Sequence, residues 1–99
     1  RSLDEALSLA KRALELKEEG YILDTLGWVY YKMDRFEKAR DALEKAVAKL
    51  PEDPVVREHL GDVYRAMNRI EEARKHYRKA LDIEPDNAAL ANKLGDLPP

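Results

Sequence analysis

Leu26-Gly27-Trp28-Val29-Tyr30 returns 34 residues on as Leu60-Gly61-Asp62-Val63-Tyr64, and after a further 34, weakened, as Leu94-Gly95-Asp96-Leu97. Ala39 with Ala73, Ala46 with Ala80 and Pro51 with Pro85 keep the same beat. A fixed period of this length outranks local propensity, because it makes the architecture a stack of similar units. Gly27 and Gly61 each fall inside a helical pattern, where glycine costs roughly 1 kcal/mol against alanine. Recurrence at one phase implies a packing requirement: a neighbouring helix comes close, with Ala39 and Ala73 expected as the small partners. A phosphate-binding glycine would need a Gly-rich turn between strand and helix, and the sequence offers neither.

Around this core the helical periods follow in order. Leu3, Ala6, Leu7, Ala10, Ala13, Leu14 and Leu16 mark a first amphipathic helix over 3–16, with Ser2 and Glu5 as a capping box and Gly20 as its left-handed terminator. A second helix runs from about Tyr21 to Met33. Asp34 with Glu37 is expected to cap a third, which carries Phe36, Ala39, Leu43, Ala46, Val47 and Leu50 and stops at Pro51. Pro54 opens a fourth, reaching about Met67. Asn68 with Glu71 repeats the cap for a fifth, which stops at Pro85, and a short sixth spans about Asn87 to Asp96. Connections of two to five residues force consecutive helices to lie antiparallel.

These residues together resemble the tetratricopeptide repeat family, whose pattern is W-x2-L-G-x2-Y, then A-x3-F, then P, over 34 residues. One unit reads Leu23-x2-Leu26-Gly27-x2-Tyr30, Ala39-x3-Leu43, Pro51. The next reads Arg57-x2-Leu60-Gly61-x2-Tyr64, Ala73-x3-Tyr77, Pro85. Leu23 and Arg57 replace the opening aromatic, and Leu43 and Tyr77 the Phe. The resemblance implies an all-α, right-handed superhelical solenoid of antiparallel helix pairs, about six helices in one domain over 1–99. Residues 20–53 and 54–87 are the full repeats. Residues 2–19 form a lone second helix and 88–97 a lone first helix or cap. The first residue is not Met and the chain opens with little more than a helix cap, which reads as an excised fragment or an engineered chain.

Composition narrows the function. The chain has 99 residues, 38% charged and 44% apolar, with a net charge of −2 and no cysteine. Disulfides and thiolate metal sites are excluded. The near-neutral balance gives no general pull toward nucleic acid or anionic lipid. Lys and Arg alternate with Glu, as in Glu37-Lys38 and Glu44-Lys45, which is a solvated helix surface rather than a nucleic-acid stripe. No apolar run nears the ~20 residues of a membrane span. The expectation is a soluble protein, cytoplasmic by default.

No catalytic, cofactor or metal site is expected. His59 and Asp62 stand three apart on one helical face and are read as a surface ion pair, since two ligands without a third make no metal site. His76 is read as an exposed filler. No nucleophile–base arrangement, zinc-protease motif or P-loop can be placed. That leaves the face not used for packing. On the second helix it holds Tyr21, Asp24, Thr25, Trp28, Tyr31 and Lys32, and on the fourth Val55, Glu58, His59, Asp62 and Arg65. On the sixth it holds Asn92, Lys93 and Asp96. Stacked repeats gather first helices on the concave side, and the resemblance implies that this groove takes a peptide. Trp28 with Tyr21 and Tyr31 is the candidate hot spot, unless Trp28 packs under the terminal helices. The acidic residues Asp24, Glu58, Asp62 and Asp96 suggest a partner with an apolar or aromatic anchor and some basic character. Relatives that clamp acidic chaperone tails use Asn, Lys and Arg in this row. Trp28 and Asp62 in their place argue against that role. The alternative is a scaffold with no ligand, from a longer or engineered array. For self-association the expectation is a monomer, with head-to-tail contact between the lone terminal helices as the rival.

Overall fold

The computed structural model describes residues 2–16 and 19–99. Among them are six helices and no strand: α1 (Leu3–Leu16), α2 (Gly20–Lys32), α3 (Phe36–Lys49), α4 (Pro54–Ala66), α5 (Ile70–Ile83) and α6 (Ala88–Asp96). The side chain of Leu16, expected inward, lies outside the described residues. Each helix packs on the next in sequence, most extensively α2 on α3 and α4 on α5, and α2 also meets α4. The result is an all-α solenoid, 38 × 24 × 21 Å. No described helix is long and apolar enough to cross a membrane.

The repeated glycines set the spacing inside each pair. A Cβ built on Gly27 would stand 2.5 Å from Leu43 Cγ, and one on Gly61 would stand 2.6 Å from Tyr77 Cδ1 and Cε1. The close neighbours are therefore the large Leu43 and Tyr77, not Ala39 and Ala73 as expected. Ala39 and Ala73 are fully buried in the same layer. Gly20 corrects another expectation. It does not end α1 in a left-handed turn; it is the buried first residue of α2, where a Cβ would meet Leu50 Cγ at 2.6 Å. Leu3, expected inward, is 42% exposed.

The helix ends follow simple hydrogen-bond needs. Ser2 Oγ accepts from Glu5 N at 3.2 Å, and Glu5 answers through the Ser2 hydroxyl rather than its amide. Asp53 Oδ1 accepts from Val55 N and Val56 N ahead of Pro54, and Asn87 Oδ1 from Leu90 N. Asp34 and Asn68 were expected to start helices, yet they end them. Both are left-handed, φ 61° and 60°. Arg35 N reaches Tyr30 O while Asp34 N reaches Tyr31 O; Arg69 N reaches Tyr64 O while Asn68 N reaches Arg65 O. That pair of bonds is the Schellman closure. Asp and Asn can occupy its left-handed residue at lower cost than most side chains. Neither α3 nor α5 has a side-chain N-cap.

Candidate functional site: the face shared by the first helices

α2, α4 and α6 sit at the same phase of the repeat and turn one face away from their partners. The centre of that face is a run of aromatic rings. Trp28 stacks on Tyr31 with centroids 4.8 Å apart and on His59 of α4 at 4.1 Å, both nearly parallel. Lys32 Nζ lies 4.9 Å from the Trp28 ring centroid and 5.9 Å from that of Tyr31. These are cation–π distances. Trp28 and Tyr31 are half-buried and Lys32 is exposed. Trp28 thus lies between the two readings of the sequence: packed against its neighbours, with part of its surface open to solvent.

Polar links tie the helices together along the same face. His59 Nδ1 donates to Asp24 Oδ1 at 2.7 Å, joining α4 to α2. Lys93 Nζ donates to Glu58 Oε2 at 2.7 Å and to both Asp62 oxygens at 3.1 Å, joining α6 to α4. The Tyr77 hydroxyl donates to Asp62 Oδ1 at 2.5 Å. Burial, reinforced by Asp62, pushes the Tyr77 phenol far above its ordinary range. Burial works against the Lys93 ammonium, but its bonds to Glu58 and Asp62 outweigh this and hold its pKa above the usual lysine value.

Three expectations are corrected here. Asp62 is not an exposed groove residue: it is 4% exposed, covered by Tyr77 and Lys93. His59 and Asp62 do not pair with each other; each finds its partner on another helix. His76 is not an exposed filler. It is buried against Tyr64, rings 5.7 Å apart, and Arg57 Nη1 donates to its Nδ1 at 3.2 Å. An Arg donor fits only an unprotonated Nδ1, so the ring proton sits on Nε2. Burial pushes the His76 pKa down to about 4; Glu44 opposes this and Arg57 adds to it.

The remaining expected residues divide by exposure. Tyr21, Thr25, Val55, Arg65, Asn92 and Asp96 are exposed; Asp24 and Glu58 are half-buried by their pairing. Tyr21 is 62% exposed, and Trp28 stacks on Tyr31 and His59 instead. The Thr25 hydroxyl donates to Tyr21 O. Among the described residues, no group of three or more His, Asp or Glu is placed to hold a metal.

Two family profiles match the sequence: one described as tetratricopeptide repeat over residues 20–53, one as TPR repeat over 61–97. Together they cover most of the chain. No curated protein matches it. Solved structures do. The first TPR of Spaghetti (RPAP3) bound to the HSP90 peptide SRMEEVD superposes with TM-score 0.90 at 23% identity, over 94% of this chain and 75% of that one. The second TPR domain of human RPAP3, in complex with the HSP70 peptide SGPTIEEVD, gives 0.86 at 16%, over 94% and 78%. TTC0263, a thermophilic TPR protein of Thermus thermophilus, gives 0.84 at 30%, over 94% of this chain but only 48% of that one.

Proposed function

The chain belongs to the tetratricopeptide repeat family, and from that premise we propose that the shared face of α2, α4 and α6 docks a peptide segment of a protein partner. One observation carries the reading: the Trp28 ring, stacked on Tyr31 and His59 with Lys32 Nζ 4.9 Å from its centroid, is only half-buried on a helical platform. A pre-stacked aromatic loses little entropy when a ligand covers it, which is the character of an interface hot spot. The similar domains solved with HSP90 and HSP70 peptides support a peptide as the class of partner.

The acidic residues of this face do not by themselves call for a basic partner. Asp24 is engaged by His59, and Glu58 and Asp62 by Lys93, so three of the four acidic groups are already answered within the fold. Lys32 and Arg65 stay exposed along the same row. The fitting ligand places an aromatic or apolar side chain on Trp28, with a carboxylate beside it for these cations. A chaperone tail is not the reading favoured, because Trp28 and the buried Asp62 occupy the row where a clamp would need Asn, Lys or Arg.

Trp28 is the only tryptophan, so its fluorescence reports on the site directly. A peptide-array screen finds binders, and titration ranks them. Trp28→Ala, followed by calorimetry, should weaken the best binder about thirtyfold, roughly 2 kcal/mol. Unchanged affinity with the helical content intact would remove this face from the argument. No binder above background would favour the scaffold without a ligand.

A further inference from the structure

Tyr30 and Tyr64 stand at one phase of the repeat but in different company. Around Tyr64 the chain's own side chains close the seam between repeats. The His76 ring lies nearly parallel to it, centroids 5.7 Å apart, and the Tyr64 hydroxyl donates to Glu44 of α3. Arg57 in turn donates to His76 Nδ1. One repeat earlier, Ala42 stands at the place of His76 and Leu23 at that of Arg57. With Ala6 and Ala13 matched to Ala39 and Ala46, Lys11 of α1 takes the place of Glu44. Tyr30 therefore has neither the ring nor the carboxylate that Tyr64 has.

A cavity of about 230 Å³ is left there, between α1, α2 and α3. The buried Leu23, Leu26, Tyr30 and Ala42 line it, with the exposed Lys38 and Lys45. Lys38 Nζ lies 5.8 Å from the Tyr30 ring centroid, and Lys11 Nζ 6.0 Å. Among the described residues, none of these three lysines has a carboxylate within ion-pair distance, and the Tyr30 hydroxyl makes no hydrogen bond. The carboxylate that lines the cavity, Asp41, already takes two bonds from Arg40, at 3.1 and 3.2 Å. The space thus has an apolar floor, a phenol donor and uncompensated positive charge. It exists because position 42 is alanine.

We propose that this cavity binds a small aromatic carboxylic acid. The ring of the ligand takes the place that His76 takes beside Tyr64, and its carboxylate the place of Glu44 on the tyrosine hydroxyl. The lysines neutralise that carboxylate, and hydrogen bonds to an ionised group are the stronger kind. The volume lies below the ~300–1,000 Å³ of drug-sized sites, so a single ring with a short acid arm is the fitting size. Leu23, Leu26 and Tyr30 are on the packed side of α2, opposite Trp28, so the site is independent of the peptide-docking face.

Hydrocinnamate, one ring with a short carboxylate arm, is the probe, and its uncharged amide the control. Backbone amide NMR of the isotope-labelled chain should show saturable shifts around Tyr30, Ala42 and Lys45, with a dissociation constant on the order of 1 mM. The amide should bind about tenfold more weakly. Ala42→His, which copies the seam at Tyr64, should fill the cavity and abolish the shifts. Lys38→Gln with Lys45→Gln should weaken binding several-fold without moving the melting temperature, since both side chains are exposed. Trp28→Ala should leave it unchanged. Shifts that do not saturate overturn the proposal, as does binding that survives Ala42→His in a chain of intact helical content. An amide that binds as well as the acid, or affinity indifferent to the two lysines, overturns the carboxylate as the ligand's chemistry.

Discussion

Alanine at Gly61 and alanine at Gly95 should move stability in opposite directions, although both replace the same residue at the same phase of the repeat. In each helix the exchange gains intrinsic propensity, up to about 1 kcal/mol in mid-helix. At Gly61 the new Cβ stands 2.6 Å from two atoms of the Tyr77 ring. A flexible side-chain end could swing away, but Tyr77 is fully buried and tied through its hydroxyl to Asp62. The ring must shift by most of an ångström. Overpacking of that size costs about 1–3 kcal/mol, and straining the hydroxyl bond to a carboxylate adds about 1 kcal/mol. Against the propensity gain, the net loss is about 2 kcal/mol, or roughly 8–16 °C in Tm for a chain of this length. At Gly95 nothing lies within 4 Å, so the gain stands alone. It is reduced to about 0.5 kcal/mol because the residue is next to last in α6. Thermal unfolding followed by helical circular dichroism separates the two. A Gly61→Ala chain that melts as high as Gly95→Ala would refute the claim that the close approach of α4 and α5 is what requires glycine.

The pH dependence of stability should carry the signature of His76. Its folded pKa of about 4 lies below the ordinary 6.5, so the unfolded chain takes up the proton first. The stability contributed by the neutral ring is complete above 6.5 and is lost as the pH falls toward 4. Urea midpoints across that window should fall more steeply in the parent than in His76→Gln; identical slopes would contradict the assignment. Asp62→Ala strips the carboxylate from the Tyr77 hydroxyl and the Lys93 ammonium, and should lower the unfolding free energy by about 2 kcal/mol in urea titration. Asp34→Gly places the residue that suits a left-handed Schellman position at φ 61°, and should raise stability by about 0.5–1 kcal/mol; a loss would mean that the Asp34 side chain makes a contribution of its own.

What could be read from the residues was whatever repeats and whatever depends on size. Leucine, alanine and glycine spacing fixes the helical faces, and the prolines fix where α3 and α5 stop, so bounds such as Leu3–Leu16 follow from pattern alone. Asp34 and Asn68 were misread because one chemistry serves two ends of a helix. A short polar side chain can cap an N-terminus or tolerate a left-handed φ, and only the backbone bonds from Arg35 to Tyr30 and from Arg69 to Tyr64 decide which. The partners of Gly27 and Gly61 were misread in a similar way. The space vacated by a missing Cβ is filled here by the largest side chain opposite, not shared with the smallest.

The charged face was hardest to read, because local spacing and the repeat period compete there. Three residues on one helix turn suggested His59 with Asp62, yet exposed pairs within a helix contribute only a few tenths of a kcal/mol. A partner on the next helix, partly withdrawn from water, gains more from the same charges, and the period sets where it stands. From Asp24 to His59 is 35 residues, and from Glu58 to Lys93 is 35 again. One repeat plus one residue is therefore the interval at which a first helix addresses the next. Both pairs obey it although one donor is an imidazole and the other an ammonium, so what the interval conserves within this chain is geometry rather than residue type. The order of acid first and donor second also gives the stack a polarity. One repeat on from Glu58 the series reaches Asn92 on the sixth helix, and one repeat before His59 it reaches Thr25 on the second, so neither carboxylate nor ionic donor is kept at its two ends.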